Sequence, residues 1–176
     1  EIEDFSPEPV LWPGEDPMQY QSLRDGLLDE LCPQTMYQRL LVDRLVMLEW
    51  ELFRYEGLIA DFLKSRARVI AAGVLNAGEA ASNKHGGISK TTEIMAIALF
   101  DPQDKNREKA LKKLSLLGIS LGEITALAYS EEIVLFDLLE FRKAEIDSRR
   151  RLLLKDFDAL KAARRKPIEE AEVLGE

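Results

Sequence analysis

Apolar residues recur at alternating steps of four and three along the first third of the chain: Leu41, Leu45, Leu48, Leu52, Tyr55, Ile59 and Phe62. This is a heptad seam of about three heptads, and it predicts one long helix over 33–72. Val42, Val46, Phe53, Leu58 and Leu63 widen the stripe, so the helix is expected to bury more than one face. Propensity alone does not hold so long a helix, and its stripe calls for a partner. A second seam reads Phe136, Leu139, Ile146, Leu153, Phe157 and Leu160, with Lys143 and Arg150 interrupting it. It predicts a second long helix over 129–166.

Local signals divide the rest. Pro7, Pro9 and Pro13 make residues 1–15 an extended arm, with Val10, Leu11 and Trp12 available to dock. Asp16-Pro17 is a helix start, since aspartate caps free amides and proline suits the first helical position. The helix that follows carries Tyr20, Leu23, Leu27 and Leu28 at helical spacing until Cys32-Pro33 breaks it, so 16–75 holds a first helix and the first long helix. Residues 76–92, rich in Gly, Ala, Ser and Asn, predict a mobile loop containing the single histidine, His85. A short helix opening at Thr92-Glu93 and another over 105–117, capped by Asp104, complete a small helical insertion over 76–128. Gly118 ends that second helix, and Ser120 with Glu123 has capping-box spacing. The second long helix is expected to stop at Lys166, leaving an acidic tail over 167–176.

Two long helices flanking a compact insertion predict an all-α fold built on a long antiparallel, coiled-coil-like hairpin. Charge agrees with that pairing. Glu49, Glu51 and Glu56 lie beside the first seam, and running the helices in opposite directions sets Arg150 near Glu49 and Glu51, with Lys143 near Glu56. A seam cation costs stability but fixes register when it meets an acid. The same pairs could equally form between two chains.

Net charge is −8, and it is uneven: residues 1–31 carry nine acids against Arg24 alone, and the remainder is balanced at 23 against 23. Residues 142–166 hold ten bases and four acids. This basic stripe either pairs with acids on a neighbouring helix or lies along phosphates, with Arg142, Arg149, Arg151, Lys155, Arg164 and Arg165 as the candidate nucleic-acid contacts. A single cysteine, Cys32, excludes an internal disulfide framework and fits a cytoplasmic location. No apolar run reaches membrane-spanning length, and the lack of an initiator Met and of a signal peptide predicts a fragment of a longer protein.

Candidate chemistry is sparse. The stretch 110–141 has helix-turn-helix spacing, but its recognition position would open with Glu131 and Glu132, two acids facing phosphate. A packed helical corner is the better reading. Gly118-Ile119-Ser120-Leu121-Gly122 matches the nucleophile-elbow pattern, yet a helical pattern precedes it and His85 lies on the wrong side for the hydrolase order. No Glu-x-x-His pair, phosphate loop or cysteine–histidine pair appears, so neither catalytic residues, a metal nor a cofactor is expected.

Leu11-Trp12-Pro13-Gly14-Glu15-Asp16-Pro17, Leu41-Val42-Asp43-Arg44 with Trp50, and Ile146-Asp147-Ser148-Arg149 through Leu160 carry a resemblance. Over residues 10–66 and 136–165 the chain resembles an uncharacterised family of bacterial and phage-associated helical proteins. Its members share an LPGEDP-like helix start, an LVERIA…W-like long helix and an Arg-rich C-terminal helix. Arg149-Arg150-Arg151 and Lys155-Asp156-Phe157 depart from the usual form of that last motif. Members often begin with a basic segment that this chain lacks, which would place a nucleic-acid role outside it. Together these readings predict a non-enzymatic oligomerisation or adaptor module, homo-oligomeric and not membrane-bound. The rival is a DNA-handling accessory protein, such as a phage-type small packaging subunit or a helix-turn-helix protein.

Overall fold

A computed structural model describes the backbone over residues 10–78 and 88–173, with side chains as far as Arg164. Among the described residues the chain is all-helical: α1 (Pro17–Leu31), α2 (Met36–Ala77), α3 (Lys90–Leu99), α4 (Arg107–Leu116), α5 (Leu121–Glu131) and α6 (Ile133–Val173). Residues 79–87 of the expected loop, His85 among them, lie outside the described residues, as does the arm before Val10.

Each helix end has a local cause. Asp16 accepts a hydrogen bond from the Met18 N–H at 2.9 Å, and Pro17 takes the first helical position. α1 ends as Cys32 turns left-handed (φ 48°) and donates its N–H to the Leu28 carbonyl at 3.0 Å. α2 starts at Met36 rather than at residue 33, because Thr35 caps it. The Thr35 hydroxyl accepts from the Gln38 N–H at 3.1 Å, and the Gln38 side chain reaches back to accept from the Gln34 N–H at 2.7 Å. This is a capping box displaced by one residue at its return bond.

α3 begins at Lys90, ahead of the expected start at Thr92. Ser89 is the cap, because its backbone is extended and its hydroxyl accepts from the Thr92 N–H at 3.2 Å. Asp104 closes a turn by accepting from Asn106 N–H at 2.7 Å, so α4 begins at Arg107 and not Lys105. Gly118, at φ 72°, ends α4. The Ser120–Glu123 box is fully formed, with Ser120 Oγ accepting from the Glu123 N–H at 3.2 Å and Glu123 Oε2 accepting from the Ser120 N–H at 2.7 Å. α6 continues past Pro167 to Val173 instead of stopping at Lys166. Proline costs an interior turn one backbone donor and crowds the carbonyl four residues earlier, which is why a stop was expected there.

The chain forms two compact units, one from Glu1–Tyr55 with Phe141–Glu176, the other from Glu56–Glu140. The first has a bulky core of Tyr20, Leu41, Val42, Val46, Trp50 and Phe157, with Leu23, Leu27, Leu153 and Leu160 packed against it. The second is built largely on small residues. Ala67, Ala71, Ala72 and Leu75 of α2 meet Met95, Ala96 and Leu99 of α3, Ala110 and Leu114 of α4, and Ile124 and Ala128 of α5. Alanine lets helix backbones approach closely, so three short helices can share one stretch of α2. The segment expected as a small helical insertion thus supplies the walls of a core.

Candidate association surface

In the first unit, Trp12-Pro13-Gly14-Glu15 is a tight turn closed by the Glu15 N–H on the Trp12 carbonyl at 3.1 Å, with Gly14 at φ 93°. Proline second and a positive-φ glycine third is the type II pattern. The turn brings the Glu15 carboxylate to a set of converging donors: the Trp12 N–H at 2.7 Å, Trp50 Nε1 at 3.3 Å, and Arg54 Nε and Nη2 at 2.5 and 2.7 Å. Arg54 also donates to the Val10 carbonyl at 2.6 Å and lies 4.8 Å over the Trp12 ring. Hydrogen bonding from Arg54 is the main cause that holds the Glu15 carboxyl down at about 2; burial opposes it, and the Trp12 amide and Trp50 indole assist. Tyr20 meets Trp50 edge-on at 5.4 Å beneath this cluster, and the desolvation raises the Tyr20 phenol above its ordinary value.

Beside it opens a cleft of about 760 Å³, lined by apolar Val10, Tyr20, Met47, Leu48, Trp50, Leu152 and Leu153 and by charged Arg44, Glu51, Arg54 and Arg149. The cleft borders a stripe that the heptad reading did not isolate. Tyr37, Leu40, Arg44 and Met47 follow one another at helical spacing on α2 and are all exposed, Tyr37 by 58% and Met47 by 55%. Leu152 of α6, also lining the cleft, is 60% exposed.

The expected seam residues fall at mixed depth. Leu41 and Leu45 are buried, and Leu48, Leu52, Tyr55 and Ile59 are half-buried. Phe62 is exposed, yet meets the buried Phe136 edge-on at 6.2 Å in the second unit. On α6, Ile146 and Phe157 are also buried, while Leu139, Leu153 and Leu160 are half-buried. The deepest α2 positions in the first unit are Val42 and Val46, beside Trp50, which the sequence singled out only through the resemblance.

Charges sort similarly. Arg150 reaches Glu49 at 3.0 Å and Asp147 at 2.7 Å, while Glu51 lines the cleft. Lys143 in the first unit and Glu56 in the second each have an interaction partner. The basic stripe is laced to its own helix: Arg142 and Arg149 bind Glu145 at 2.9 and 2.5 Å, and Arg151 pairs with Asp147. Those two arginines hold Glu145 below its ordinary value, the Arg142 hydrogen bond foremost. Lys155 and Arg164 are exposed, and the Arg165 side chain lies outside the described residues.

Other candidate chemistry is absorbed structurally. Ser120 follows helix α4 rather than a strand, and its hydroxyl is committed to the capping box, so the nucleophile-elbow pattern has no elbow to occupy. At the helix-turn-helix-like corner, Arg66 binds Glu131 at 2.7 Å and lies 3.4 Å from Glu132, tying both acids into the second unit. Among the described residues no group of three or more His, Cys, Asp or Glu could hold a metal ion, and no helix is long and apolar enough to cross a membrane. No protein family, curated protein or solved structure matches this chain, so the resemblance noted above rests on its motifs alone.

Proposed function

We propose that this chain is a helical association module, working through homo-oligomerisation on an α2–α6 pairing that runs antiparallel and coiled-coil-like. One observation carries the reading: in its first half α2 is apolar on two faces. Leu41, Val42, Val46 and Trp50 are covered within the chain, whereas Tyr37, Leu40 and Met47 are exposed. Exposed apolar surface of this kind is the usual mark of an interaction site. The antiparallel sense is supported by the order of contacts in the first unit. Arg150 meets Glu49, while Phe157 and Leu160, further along α6, share a cluster with Leu41 and Val42, earlier on α2.

Duplex binding through the basic stripe is the weaker reading, since Arg142, Arg149, Arg150 and Arg151 are already matched by carboxylates. Light scattering across protein and salt concentration tests the proposal. A mass above the 20.0 kDa of one chain, persisting at high salt, is the expected result. A monomer throughout, with duplex binding that weakens steeply as salt rises, would reverse the ranking.

A further inference from the structure

We infer that the exposed stripe of α2 around Met47 is a two-fold docking face for a second copy of this chain, an inference that rests on the association reading and names its surface. A face that binds its own copy about a two-fold axis must carry its own complement, because residue i meets residue j while j meets i. This stripe does so. Arg44 precedes Met47 by three residues and Glu51 follows it by four, so all three share one face of the helix. An axis passing beside Met47, with the two α2 helices opposed, sets Arg44 of each copy level with Glu51 of the other.

The nearby charges are engaged elsewhere: Arg54 is held by Glu15 and Arg149 by Glu145. Arg44 and Glu51 have neither a hydrogen-bond nor an ion-pair partner among the described residues, and Glu51 feels Arg54 only through its charge. Between the two charges lies Met47, with Leu152 of α6 lining the same cleft and Leu40 continuing the exposed apolar stripe beyond Arg44, so each charge borders pliable apolar surface. A partner of one sign would meet one of these two charges as a repulsion. A second copy meets both as attractions.

Charge reversal tests this on the full chain. Arg44→Glu and Glu51→Arg each place two like-charge pairs across the axis and are expected to weaken self-association by about tenfold or more. An equimolar mixture of the two variants is then expected to assemble as a mixed dimer, since each supplies the charge that the other lacks. The double variant R44E/E51R should self-associate within about threefold of the parent. Far-UV circular dichroism confirms that each variant is folded, and sedimentation velocity reads the masses. Self-association of the parent with both single variants unaffected overturns this face but leaves the association reading standing. Loss in both single variants without recovery in the mixture overturns it as well. A parent that stays monomeric overturns both.

Discussion

The two compact units use the same helix, α2, in opposite ways. Over Leu41–Trp50 it presents bulky side chains and buries aromatic surface against Tyr20 and Phe157. Over Ala67–Leu75 it presents mainly alanine and receives three short helices instead. A core of large residues gains its stability from apolar area per side chain, whereas a core of alanines gains it from close approach of backbones. The first should suffer when something is removed, the second when something is added.

The largest effect is therefore expected from Trp50→Ala, which empties the first core and strands one donor bond on Glu15. A loss of about 3–5 kcal/mol in chemical denaturation is expected, and a loss under about 1 kcal/mol would deny the aromatic core its weight. Ala71→Leu makes the converse test in the second unit. Ala71 is wholly buried, and extra methylenes there should cost about 1–3 kcal/mol by overpacking. Enlargement tolerated without loss, in the same assay, would show that the helices there are not closely set.

Glu15→Gln comes next, with an expected loss of about 1–3 kcal/mol at neutral pH from weakened charge-assisted bonds to Arg54. Its pH signature is specific. The folded-state pKa is depressed from 4.5 to about 2, so the stabilisation is present above 4.5 and is lost as pH falls from there towards 2. The gap between the parent and Glu15→Gln should close across that window in acid titrations followed by denaturant unfolding. A gap that stays constant down to pH 2 would remove the carboxylate from its central place.

The smallest effect is expected from Arg150→Leu. Glu49 loses its arginine, yet Asp147 keeps Arg151, and the Arg150 Nε makes no hydrogen bond to lose. A change within about 1 kcal/mol of zero, in either direction, is expected, because half-exposed pairs contribute little and a leucine extends the apolar surface. A loss of several kcal/mol would mean that this pair holds the first unit together.

What was legible in the sequence follows the same division. Asp16-Pro17, Gly118 and the Ser120–Glu123 spacing act within a few residues, and each produces its helix boundary in place. The long helix α2 was equally visible, because bulky apolar residues at helical spacing leave an unmistakable period. Alanine leaves none. Ala67, Ala71, Ala72, Ala96 and Ala128 sit at the centre of the second core, yet they read as neutral helix formers, so residues 76–128 looked like an insertion. The sequence does not separate Ser89 from Thr92 as the start of α3, because both hydroxyls belong to one motif and only backbone conformation distinguishes them. Glu15 and Arg54 stand 39 residues apart, beyond the reach of any local pattern. Their meeting depends on the turn at Gly14, whose Pro-Gly signal stands inside the stretch that the prolines mark as an extended arm.

Both tryptophans of the chain, Trp12 and Trp50, sit around the Glu15–Arg54 pair, and residues 56–140 contain neither. Intrinsic tryptophan emission therefore watches one unit and is blind to the other, where Tyr129 is the described residue that could report in its place. Followed side by side with helical ellipticity, which reads the helices of both units together, the indole signal isolates the first unit, and any lag between the two curves times the second.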